Sequence, residues 1–278
     1  MTHKFSFKII ALLGILALTL SLNGQGNGQV EDQDHYCNKI STARNLFNPL
    51  LRNNPLTESY DLKYYRFEWM IDPAVYAIAG KATPYFKVLQ DGFKEINFDF
   101  SKSLVIDSII WHNKKLEFSQ PGTYQLNIKF AESLAMGSTD SMTIAYHGVP
   151  PSGGFGSFIQ STHNGEPVLW TLSEPFGAQD WWPCKNGLDD KIDSIDVIIT
   201  TQPRFRAASN GSLVSELSLP SGLKSYHWKH KYAIAPYLIA IAVTNYTAYT
   251  DDVLLSDGTV MPMLNYVYPE DLSAARKG

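Results

Sequence analysis

The sequence predicts an all-β protein, a large sandwich or saddle built of mixed sheets. Three observations carry this expectation. Short runs rich in aromatic and β-branched residues recur along the chain, turn signals separate them at short intervals, and no long stretch repeats with the 3.6-residue period of a helix. With 44% apolar and 13% aromatic residues, a sizeable core is available. Charged residues make up only 18%, below the usual proportion of roughly a quarter.

A leader is expected at the start of the chain. Lys4 and Lys8 form a basic start, Ile9 to Leu22 is an almost unbroken apolar run, and Asn23-Gly24-Gln25 supplies a polar exit. That is the layout of a secretory signal peptide over residues 1–25, and the run is short for a spanning helix. The first cysteine is Cys37, so no lipid-anchor cysteine follows the apolar run. An exported protein is expected, whether periplasmic, cell-surface or secreted. Loss of Lys4 and Lys8 with the leader leaves 21 basic against 27 acidic residues, a net charge of −6. Such a surface has no electrostatic footprint for nucleic acid or anionic membrane, and neither is expected as a partner once the leader is gone. Cys37 and Cys184 allow one disulfide in an oxidising compartment. The favoured alternative is a buried free thiol at Cys184, which sits behind Trp181-Trp182-Pro183.

Residues 26–57 read as an irregular lead segment, with a short helix over Ile40 to Leu51. Strands begin at Tyr60. The run from Tyr60 to Ile71 roughly alternates and stops at Asp72-Pro73. Ala74 to Leu89 follows, with Gly80 marking a bulge or a close backbone approach. Ile96 to Phe100, Leu104 to Trp111, Tyr124 to Phe130 and Met142 to His147 come next. Turns at Gln90-Asp-Gly92, His112-Asn-Lys114 and Gln120-Pro-Gly122 separate them. Val149 to Ser157 is a Pro- and Gly-rich loop. It has neither a P-loop Lys-Ser/Thr nor a helix behind it, so a phosphate cradle is not expected. Strands resume at Val168 to Leu172, Ser194 to Thr200, Ser225 to Lys231 and Tyr237 to Tyr246. A last one, Val260 to Tyr266, lies beyond Ser256-Asp-Gly258. Asp271 to Gly278 reads as a helix being entered, and as the point where a longer chain has been cut.

Hydrolytic chemistry finds few footholds. A zinc hydrolase needs two imidazoles on one helix face with a glutamate between them, the reason for the H-E-x-x-H spacing. None of His3, His35, His112, His147, His163, His227 and His230 precedes a Glu. His227 and His230 are three apart in a strand-like setting, which points them to opposite faces. No Gly-x-Ser-x-Gly elbow occurs and no histidine lies near Cys184 in sequence. The expectation is no metal site and no catalytic residue within this chain. Glu174, before Pro175, reads on its own as a strand-end or turn residue.

The stretch from Thr171 to Cys184 changes that reading. Glu174, Pro175, Ala178, Pro183 and Cys184 resemble a segment in the N-terminal β-domain of the aminopeptidase N family of zinc metallopeptidases. There a Glu or Gln is followed by a small or Pro residue, then Ala-Arg, then an apolar run ending in Pro-Cys. Tyr60 to Ile71 and Ala74 to Phe86 are similar to the family's opening strands, Tyr124 to Phe130 and Met142 to Gly148 to its later ones. Asp190 to Val197 fits the strand after Pro-Cys, and Pro236 to Ala240 a strand near the domain's end. The resemblance implies a β-domain over residues 58–250 and the start of a catalytic domain over 251–278, including its first strand. It implies that Glu174 binds the amino terminus of a peptide substrate, while zinc and the general base belong to a catalytic domain in cis. Two positions depart from the pattern. Gln179 stands where the family usually has Arg, and Asn186 where it usually has Asp, which raises the expectation of a neutral amide pair between them. A different class of function is a non-catalytic β-sandwich module, holding peptide or glycan on Trp111, Trp170, Trp181, Trp182 and Trp228.

Overall fold

The computed structural model describes residues 55–152 and 157–277. The expected leader, the helix expected over Ile40 to Leu51, Cys37 and the 153–156 core of the glycine loop lie outside the described residues.

The strands, in chain order, are β1 (Tyr60–Met70), β2 (Ile78–Val88), β3 (Phe93–Asp99), β4 (Leu104–Trp111), β5 (Lys114–Lys115), β6 (Glu117–Ser119), β7 (Gln125–Leu134), β8 (Thr139–Ser141) and β9 (Thr143–Gly148). The second half adds β10 (Phe158–His163), β11 (Glu166–Thr171), β12 (Ser194–Thr201), β13 (Arg206–Ser209), β14 (Ser212–Ser218), β15 (Lys224–His230), β16 (Ile241–Thr244), β17 (Thr247–Leu254) and β18 (Val260–Val267). A nine-stranded sheet runs β14-β15-β12-β1-β2-β9-β4-β5, with β8 beside β2. A four-stranded sheet runs β10-β11-β16-β13, a three-stranded one β3-β7-β6, and β17 pairs with β18 alone. The large sheet is mixed because β1 lies parallel to β12 and antiparallel to β2. This is the expected all-β architecture.

β1 explains why its sequence only roughly alternates. Tyr60 and Leu62 point inward, the register against β2 shifts between Leu62 and Tyr64, and Tyr65, Phe67 and Trp69 then take over the buried face. A bulge inserts one residue and moves the inward set from even to odd positions. The three inward rings stack, with centroids 4.8 Å apart for Tyr65–Phe67 and 4.5 Å for Phe67–Trp69. Trp182 meets Tyr65 and Phe67 edge-on at 5.3 and 5.0 Å. Each large side chain buried this way contributes about 1.5–3 kcal/mol, and each aromatic pair about 0.5–1.5 kcal/mol more.

Gly80 is a close approach and not a bulge. The ladder runs through it in register, and a Cβ there would lie 2.1 Å from the Glu68 carbonyl oxygen. The stretch from Tyr237 to Tyr246, expected as one strand, is strand only over β16. Pro236–Leu238 instead forms a 3-10 turn with Pro236 at its first position, where a missing N–H costs nothing. The entered helix is present as a short segment, Leu272–Ala275, behind the Pro269–Asp271 turn. No described helix is long and apolar enough to cross a membrane.

Candidate functional site

β11 ends at Thr171 and delivers the chain to a short loop. The Gly177 amide donates to the Ser173 carbonyl at 2.7 Å, closing a turn whose interior residues are Glu174, Pro175 and Phe176. The Glu174–Pro175 peptide is cis. Glu174 is exposed, and no hydrogen bond or ion pair joins its carboxylate to another described residue. The residues on either side of it in the fold are fixed.

Ser173 is buried, and its Oγ accepts from the Trp181 indole N–H at 2.9 Å. The Trp181 carbonyl accepts from the Tyr146 hydroxyl at 3.0 Å, and the Pro183 carbonyl from the Tyr65 hydroxyl at 2.6 Å. Cys184 exchanges both backbone hydrogen bonds with Asp99, at 2.7 and 3.0 Å. The Lys185 ammonium reaches Asp190 Oδ2 at 2.8 Å and the Tyr60 carbonyl at 3.1 Å. Thus every residue from Trp181 to Lys185 is buried against β1, β9 or the end of β3. The apolar run with its Pro-Cys ending supplies the anchoring, and leaves the glutamate outside.

Asp180 anchors the other flank. Its Oδ2 accepts from Ser157 Oγ at 2.6 Å, and Tyr124 also bonds to it. Burial pushes its carboxyl up from the ordinary Asp value, while those two hydrogen bonds pull the other way. Gly177 lies against the same serine; a Cβ there would stand 2.0 Å from Ser157 Oγ. Cys184 is a free, buried thiol, as favoured from sequence, and burial holds it well above the usual thiol range.

Gln179 and Asn186 do not form the expected amide pair. The Gln179 carbonyl accepts from the Ser101 amide at 2.8 Å, whereas Asn186 Nδ2 donates to the Phe176 carbonyl at 2.8 Å. The partner of Asn186 is therefore the Glu174 turn itself. Sequence reasoning marked Asn186 as a departure but not its partner, because a bond to a backbone carbonyl leaves no side-chain signature to read.

His227 and His230 both lie on β15 with Trp228 between them, and His227 Nε2 sits 2.5 Å from Asp196 Oδ1. Among the described residues, no group of three or more His, Cys, Asp or Glu side chains is arranged to hold a metal ion. They do not fit a zinc, and no hydrolytic step is assigned to them. Of the five tryptophans considered as a ligand platform, Trp111, Trp181, Trp182 and Trp228 are buried in the core and only Trp170 is partly open. They cannot act together as a surface, because their rings are already spent on packing.

The sequence matches the family model for the peptidase M1 N-terminal domain over residues 61–238. The chain belongs to that family, and its β-domain is the N-terminal domain type of the aminopeptidase N group. Among solved structures, an M1 zinc metallopeptidase from Deinococcus radiodurans superposes with a TM-score of 0.65 at 19% identity, over 76% of this chain and 48% of that one. A mutant of an M1 zinc metallopeptidase from the same organism, bound to a Tyr-Ser-Ala substrate, gives 0.65 at 18%, over 76% and 48%. A two-domain M1 zinc metallopeptidase mutant bound to L-tryptophan gives 0.66 at 18%, over 77% and 49%. At these identities the likeness establishes the fold. The chain spans about half the length of the structures it matches. No curated protein matches its sequence.

Proposed function

We propose that this chain is the front part of an exported zinc-dependent aminopeptidase, and that Glu174 binds the free amino terminus of the peptide. The observation that carries the reading is the contrast within one short segment. Trp181 to Lys185 are buried and hydrogen-bonded, while Glu174 stands exposed on a closed turn with its carboxylate unengaged. A carboxylate so held pairs with an ammonium and forms charge-assisted hydrogen bonds worth about 1.5–3 kcal/mol. An internal peptide bond offers no ammonium, so endopeptidase binding is disfavoured. Family membership and the peptide- and amino-acid-bound relatives support the substrate class. Zinc supplies a Lewis acid and an activated water in such enzymes. Its ligands are assigned outside the described residues, in a catalytic domain in cis that begins near residue 251.

The test is an assay of the intact gene product on peptides with free and with acetylated amino termini. Release of amino-terminal residues from the free peptides only, abolished by a metal chelator, is the expected result. Glu174→Ala should lower kcat/KM about 10- to 150-fold, the equivalent of the lost charged hydrogen bond. Wild-type rates in Glu174→Ala, or equal cleavage of acetylated peptides, would overturn the role of Glu174. An intact product with no peptidase activity would overturn the catalytic reading.

A further inference from the structure

Two contacts fix how the Asn186 amide is turned. Its Nδ2 donates to the Phe176 carbonyl at 2.8 Å, and its Oδ1 faces the Cys184 thiol at 3.7 Å. A carbonyl accepts only from a donor, so the nitrogen must face Phe176. The backbone amide of Asn186 donates to Asp99 Oδ2 at 3.0 Å, which seats the residue at the edge of the Asp99–Cys184 bridge. Phe176 lies two residues after Glu174, inside the turn closed by Gly177 and Ser173. Asn186 is thus a strut from the buried Pro-Cys segment to the exposed turn that carries the carboxylate.

An aspartate at this position cannot do the same. Its carboxylate is acceptor-only when ionised, so it would set oxygen against the Phe176 carbonyl and add a negative charge beside Asp99. The side chain at 186 is therefore specific to the arrangement in this chain, in which residue 179 is a glutamine that makes no bond to it.

We propose that Asn186 is a positioning residue, holding the Phe176 carbonyl so that Glu174 is presented in a single orientation to a substrate amine. The proposal rests on the amine-binding reading of Glu174. Losing the strut leaves the carboxylate in place and chemically intact, but lets the turn sample orientations in which the amine is not met. Discrimination between free and blocked amines should therefore fall, with little change in the affinity for a blocked ligand.

The experiment uses the intact gene product and two ligands that are not hydrolysed, L-tryptophan and N-acetyl-L-tryptophan, with dissociation constants from titration calorimetry. The quantity read is the ratio of the two constants. The wild type should favour the free amine at least tenfold, and Glu174→Ala should bring the ratio to about one. Asn186→Ala and Asn186→Asp should each shrink the wild-type ratio about three- to tenfold, with the N-acetyl constant nearly unchanged. The alanine variant adds no charge near Asp99, so it answers the question even if the aspartate variant folds poorly. If Glu174→Ala abolishes the preference while Asn186→Ala keeps it, the role of Asn186 is overturned and that of Glu174 stands. If Glu174→Ala leaves the ratio unchanged, or the wild type shows no preference, the Glu174 reading fails and this proposal falls with it.

Discussion

The indole N–H of Trp69 donates to the Tyr146 hydroxyl at 2.9 Å, although the two residues belong to strands that are not neighbours in the sheet. Between them in the sheet lies Gly80, paired with Trp69 on one side and Tyr146 on the other. The glycine leaves the inner face open at that point, and the two large side chains meet across it. Tyr146 then donates to the Trp181 carbonyl, so the contact carries the sheet's geometry into the segment that anchors the Glu174 turn.

Gly80→Ala should therefore be among the most damaging single methyl additions in the protein. The new Cβ would lie 2.1 Å from the Glu68 carbonyl and 2.9 Å from Trp69 Cα, both backbone atoms of a central strand that cannot yield cheaply. A loss of about 3 kcal/mol or more is expected, lowering the melting temperature by roughly 6–12 °C. Calorimetric melting checks this, and an unchanged melting temperature would show that the strands do not approach so closely.

Lys185→Met should be costly for a different reason. The Lys185 and Asp190 side chains are only 6% and 11% exposed, and Asp190 also accepts from the Leu62 amide at 3.2 Å. Removing the ammonium leaves a carboxylate inside without its counter-charge, at about 3–5 kcal/mol. Lys185→Met combined with Asp190→Asn should cost less than the sum of the two single changes, as urea unfolding would reveal.

The Asp196 carboxylate predicts an acid sensitivity. Burial pushes its carboxyl up, but hydrogen bonds from Lys229, Tyr64 and His227 outweigh that and leave it below the ordinary Asp value. A carboxyl lowered on folding stabilises the protein above its unfolded value, and that stability is lost as the pH falls through the folded one. Asp196→Asn should thus cost about 1–3 kcal/mol at pH 7, and the gap to wild type should narrow below about pH 4. A gap that stays constant in urea titrations at both pH values would refute the assignment.

Cys184 should resist alkylation in the native state. Burial raises its thiol, and the negative charges of Asp99 and Asp180 add to the effect, so little thiolate is present and no reagent reaches it. Iodoacetamide at pH 8 should label it only after denaturation, and mass spectrometry of the labelled chain distinguishes this from a disulfide.

Much of the architecture was legible in the side chains themselves. β4 occupies the residues expected, and β1, β7, β9, β12 and β15 fall within a few residues of their sequence signals, because each carries aromatic or β-branched residues on a buried face; β18 does so too, though none of its residues is fully buried. β13, with Arg206-Ala-Ala-Ser209, and β14, with Ser212 to Ser218, escaped notice. The first has no β-branched residue, and the second is an edge strand with little to bury. The place of β12 beside β1 has no local signature, since parallel pairing is decided by the whole sheet. Glu174 stood out only through its resemblance to a family segment; its own neighbours read as a turn. The link from Asn186 to Phe176 was hidden because its acceptor is backbone.

That parallel pairing of β1 with β12 also orders events during synthesis. The Tyr64 hydroxyl bonds to Asp196, 132 residues further along the chain. The strands from β1 to β9 can assemble as soon as they emerge, but the far edge of β1 has no neighbour until β12 is made, and β12 needs β15 in turn. Closing so long a loop adds only modest entropy, yet it makes the search slow. Until β12 emerges the nascent chain therefore presents an open strand edge along β1. Its Tyr65 and Phe67 rings still await Trp182, and Trp69 awaits Trp181; such a nascent chain offers a chaperone both apolar surface and a strand to bind.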